Sequence, residues 1–111
     1  MKVSEICERL GATAVTGPFD DHDVTKVYTS DLLSDVMGYA EEESLLITIQ
    51  AHKNTIAVAS QLDMPAIVIC NGRKVPDDMR EAALQEKITL LTTNDNQYTA
   101  STKVYLALSG A

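Results

Sequence analysis

The sequence predicts an α/β fold: a mostly parallel sheet with helices on both faces. Two observations carry that prediction. "SLLITIQ" (44–50), "AIVIC" (66–70) and "ITLLTT" (88–93) are near-continuous apolar runs rich in β-branched residues, the pattern of strands buried on both faces. Segments with helical apolar spacing separate them at 54–63 and 76–87, and another follows at 96–110. From residue 44 the order is therefore β-α-β-α-β-α, preceded by a helix, two short strands and a second helix.

"VSEICERL" (3–10) places Val3, Ile6, Cys7 and Leu10 on one helical face, with Ser4 as the expected N-cap and Gly11 as the stop. "ATAVTGP" (12–18) reads as a short strand ended by Gly17-Pro18, and "FDDHD" (19–23) as an acidic loop. "VTKVYTS" (24–30) alternates like a strand. "DLLSDVMGYA" (31–40) has Leu32, Leu33, Val36, Met37 and Ala40 at helical spacing, with Ser30 or Asp31 as cap, and "EEE" (41–43) is a solvated turn. Asn54 or a neighbour is expected to cap the helix at 54–63, which ends before Pro65. The helix at 76–87 has Pro76 in its first turn, Asp77 and Asp78 at its positive end and Lys87 at its negative end. The last helix offers Tyr98, Thr102, Tyr105, Leu106 and Leu108 for burial.

A chain of 111 residues fits one domain, with no linker, repeat or low-complexity stretch to divide it. Aromatics are 5% of the residues, so the core is aliphatic. A net charge of −7 argues against nucleic acid and against an anionic membrane surface. The longest apolar runs are about five residues, against ~20 needed to cross a bilayer, and no leader pattern is seen. Cys7 and Cys70 lack metal or redox spacing and read as buried thiols of a cytoplasmic protein. No metal site or cofactor is expected. Asp31 and Asp35 sit four apart, which suits capping and a solvated face better than acid–base work.

In a parallel sheet, ligands meet the C-terminal ends of the strands. Three loops are expected there: "QAHKN" (50–54), "NGRKVP" (71–76) and "NDNQ" (94–97). His52, Lys53, Arg73 and Lys74, four of the chain's nine Lys and Arg plus two His, fall in two of them. That concentrates positive potential at one edge of an acidic protein. The candidate ligand-binding set is Gln50, His52, Lys53, Asn54, Asn71, Gly72 and Arg73, suited to a small anion or nucleotide, although loop cations are ordinarily just solvated. No phosphate-loop glycine motif, Ser-His-Asp order or CxxC pair occurs, which argues against an enzyme.

From "MKVSEICERLG" through "VTKVYTSDLLSDVMGYA", "LLIT", "AIVICNGRKVPDDMREAA" and "ITLLTTNDNQYTAS", the whole chain resembles the DRTGG domain. That domain occurs within phosphate acetyltransferases, within CBS-domain pyrophosphatases and alone, and its fold is similar to the N-terminal domain of HPr kinase/phosphorylase. The resemblance implies a non-catalytic regulatory or dimer-forming module without a cofactor. Two positions depart from the family pattern: its Asp-Arg reads Ala51-His52, and its Thr-Gly-Gly reads Cys70-Asn71-Gly72. The expectation is a homodimeric regulatory or sensor module acting on a separate protein partner. Its dimer surface is expected on Leu32, Leu33, Val36, Met37 and Tyr39. The alternatives are a small anionic-ligand binder and, behind it, a phosphoryl-handling enzyme.

Overall fold

The computed structural model describes residues 1–110. In chain order the elements are α1 (Val3–Leu10), β1 (Thr13–Ala14), β2 (Val27–Thr29), α2 (Leu33–Tyr39), β3 (Leu45–Thr48), α3 (Lys53–Gln61), β4 (Ala66–Ile69), α4 (Asp77–Glu86), β5 (Thr89–Thr92) and α5 (Gln97–Leu108). The five strands form one sheet in the order β1-β5-β4-β3-β2. β2 to β5 are parallel, and β1 closes the far edge antiparallel to β5, with Thr13 opposite Thr92.

The apolar runs divide by residue parity, because successive strand side chains point to opposite faces. Leu45, Ile47, Ala66, Val68 and Leu91 pack with Val3, Ile6, Leu10, Ala100 and Val104, so α1 and α5 cover one face. Leu46, Ile67, Ile69 and Leu90 pack with Val36, Ile56, Ala59, Met79 and Ala83, so α2, α3 and α4 cover the other. All four residues of β3 and of β4 are buried. The α/β class and the two-sided covering agree with the sequence expectation.

The elements outside the core strands differ in detail. β1 and β2 are shorter than the expected 12–18 and 24–30. Ser4 does not cap α1. Lys2 holds the N-cap position, its N–H donating to Glu5 Oε1 at 3.0 Å, while Ser4 N–H and Oγ donate to Asp21 at 2.9 and 2.5 Å. Val3 N–H donates to the His22 carbonyl at 3.1 Å. The acidic segment 19–23 thus satisfies the free donors of the first turn of α1 from across the chain. Leu32, not Ser30 or Asp31, is the N-cap residue of α2, and Asp35 accepts the Tyr28 hydroxyl at 2.8 Å. α5 buries Ala100, Val104 and Ala107 rather than the larger residues the spacing offered. Tyr98 and Tyr105 are 80% and 70% exposed. Close approach to the sheet selects the small residues; Leu108 packs partly against the core, while Tyr98, Thr102, Tyr105 and Leu106 turn outward.

Candidate functional site

At the C-terminal edge of the sheet the polar residues of 50–54 do structural work first. Gln50 Nε2 donates to the Asp31 carbonyl at 2.6 Å, and Thr55 Oγ1 donates to the Gln50 carbonyl at 2.7 Å. These bonds tie the β3–α3 turn to the start of α2. His52 is the N-cap residue of α3, with extended backbone and no side-chain capping bond, so Asn54 is not the cap. His52, Lys53 and Asn54 are exposed.

The next two loops are joined to each other. Asn71 N–H donates to the Asp95 carbonyl at 2.8 Å, and Gly72 N–H to the Thr93 carbonyl at 2.9 Å. Asn71 and Gly72 are both left-handed, at φ 64° and 61°. A Cβ on Gly72 would lie 2.7 Å from Asn94 Oδ1, so position 72 needs glycine for space as well as for conformation. Beside it, Lys103 Nζ and Asp95 Oδ2 pair at 2.7 Å. Burial, with Asp95 adding to it, pushes the Cys70 thiol up to about 11, so Cys70 is a protonated core group at neutral pH.

Four of the seven candidate residues fall in two separate places, and Gln50, His52 and Asn71 fall in neither. Gly72 and Arg73 line a cavity of about 180 Å³ together with Thr13, Thr92, Thr93 and Asn94. Lys53 and Asn54 line another of about 220 Å³, in the groove between α3 and α4 with Ala57, Ala82 and Gln85. Thr13 and Thr92 were not read from the sequence as part of a site, and Asn94 was placed at this edge, in the 94–97 loop, without being a candidate ligand. Thr13 reaches it only because β1 pairs back onto β5, and no local pattern signals that pairing.

The expected dimer surface divides as well. Val36 is fully buried and Leu33 is partly buried against the core. Leu32, Met37 and Tyr39 are 59%, 53% and 77% exposed. Among the described residues no group of three or more His, Cys, Asp or Glu is placed to hold a metal, and no helix is long and apolar enough to cross a membrane.

None of the proteins of curated function matches the chain. Among solved structures it is similar to the CBS and DRTGG domains of the regulatory region of Clostridium perfringens pyrophosphatase, crystallised with the activator diadenosine tetraphosphate. The TM-score is 0.75 at 19% identity, over 92% of this chain and 45% of that one. The chain thus spans less than half the length of that relative, and the likeness is one of fold. The DRTGG domain model matches residues 5–107, nearly the whole sequence, and the chain belongs to the DRTGG domain family.

Proposed function

We propose that this chain is a single-domain, non-catalytic regulatory module of the cytoplasm that forms a homodimer and acts on a separate partner protein. Family membership supports the regulatory role, as does the likeness to a domain of a pyrophosphatase regulatory region. The observation that carries the dimer is the composition of the β2 side. β2 is an edge strand, and both neighbouring helices are bonded to it: α2 through Tyr28 and Asp35, and α5 through Thr29 Oγ1 and Ser101 Oγ at 2.7 Å. Six of the eight exposed large apolar side chains lie on or beside these two helices: Leu32, Met37, Tyr39, Tyr98, Tyr105 and Leu106. Exposed apolar groups on the helices that flank an open strand edge favour association. Sedimentation velocity over a concentration series is expected to give a dimer, and Tyr105→Asp a monomer with an unchanged circular dichroism spectrum. A wild-type chain monomeric at every concentration overturns the dimer.

A second reading, a small anionic-ligand or nucleotide binder, is favoured by the cationic loops at the sheet edge and by the activator bound to the related regulatory region. Thermal melts against nucleotides and phosphates test it. A ligand at a hundred times its dissociation constant adds ~2.7 kcal/mol, on the order of 10 °C in a domain of this size. His52→Ala combined with Arg73→Ala is expected to remove the shift. Phosphoester turnover lost in His52→Ala would favour the enzyme reading instead.

A further inference from the structure

We infer that the crevice between the C-terminal ends of β4 and β5 is a site for one phosphate-sized oxyanion, a terminal phosphoryl group or free phosphate, with Arg73 as its charged ligand. The inference rests on the ligand-binding reading and narrows it to one place and one chemical group.

The first observation is topological. After β3 and β4 the chain turns to α3 and α4 on one face, whereas after β5 it turns to α5 on the other. The loops of neighbouring strands β4 and β5 therefore depart to opposite sides. An open α/β sheet presents its binding crevice where this happens. No such divergence occurs between β3 and β4, which leaves His52, Lys53 and Asn54 outside the crevice.

The second observation is the chemistry of the lining. The cavity at this point is lined by Thr13, Arg73, Thr92, Thr93 and Asn94 and by no carboxylate, in a chain with 16 Asp and Glu. The neighbouring Asp95 is engaged by Lys103. Arg73 enters none of the ion pairs among the described residues. Guanidinium matches the oxygens of a phosphoryl group with paired donors, and hydroxyl and amide donors complete such a shell. At about 180 Å³ the cavity is smaller than the ~300 Å³ at which pockets for drug-sized molecules begin, so it holds one small group rather than a whole nucleotide.

The test is a titration of the full chain with inorganic phosphate, followed by amide chemical shifts at constant ionic strength against chloride. Saturable shifts are expected at Thr13, Gly72, Arg73, Thr92 and Asn94. Arg73→Gln is expected to weaken binding roughly ten- to hundredfold with an unchanged melting temperature, while Lys53→Gln leaves it intact. Shifts that persist in Arg73→Gln, or the absence of saturable shifts with phosphate, overturn the site. A parallel titration with a nucleoside triphosphate separates the two claims. A nucleotide that shifts His52 to Asn54 and ignores Arg73→Gln removes this site but keeps the ligand-binding reading. Silence with both probes removes both.

Discussion

Gly72 and Gly11 share a left-handed backbone, at φ 61° and 63°, but only Gly72 has a neighbour where a Cβ would go. Gly11→Ala is therefore expected to lose only the conformational term, ~1 kcal/mol. Gly72→Ala adds the displacement of Asn94 and is expected to cost more. Guanidinium unfolding of the two variants measures the difference. Gly72→Ala combined with Asn94→Ala is expected to restore the steric part and leave the conformational part. The Asn71-Gly72 pair was legible as a turn, since Asn-Gly tolerates positive φ. The approach of Asn94 was not, because 22 positions separate the two residues in the sequence and only the β4–β5 pairing brings them together. Asn71 takes φ 64°, a conformation asparagine enters more readily than most side chains.

The helices show where periodicity decides and where packing does. In α1 the buried set is Val3, Ile6, Cys7 and Leu10, as the spacing indicated. Its cap was invisible, because the acceptor is Asp21, 17 positions from Ser4. The bonds from Ser4 hold the Asp21 carboxyl below the usual carboxylate range. A folded-state pKa below the unfolded value stabilises the fold above the unfolded pKa of ~3.9, and the contribution is lost as pH falls through the folded value. Titration of Asp21 by NMR is expected to move upward, toward the ordinary value, in Ser4→Ala. An unmoved titration would separate the shift from that contact. α4 and α2 give the matching packing test. Met79 is fully buried against the sheet, and Met37 is 53% exposed. Met79→Ala is expected to cost ~2–5 kcal/mol in chemical unfolding, and Met37→Ala no more than ~0.5 kcal/mol.

At the scale of the whole molecule, the sheet interior is sealed by helices on both sides, and Cys70 reports on that seal. It is fully buried, and its thiol is raised to about 11. A thiol-specific reagent at pH 8 is expected to label Cys70 only at the rate of global unfolding, whereas labelling in the burst phase would mean that the β4 end opens locally. The pH dependence has the opposite sign to that of Asp21. A raised thiol pKa contributes fully below the unfolded value, ~8.5, and the contribution is lost as pH rises toward 11.

By itself the sequence determined the fold class, the core strands and most of their inward residues. Continuous β-branched runs and helical spacing are local patterns, and burial on two faces reads directly from them. The tertiary structure alone decided which side of the sheet each helix covers, and so that the loops diverge at β4 and β5 rather than beside His52. It also decided that Thr13 and Asn94 stand next to Gly72 and Arg73, that Asp21 serves α1, and that α5 buries alanines while its tyrosines face outward. These outcomes depend on strand order and on how closely each helix approaches the sheet. Both are set by pairings between residues distant in the chain, which no window of neighbouring residues encodes.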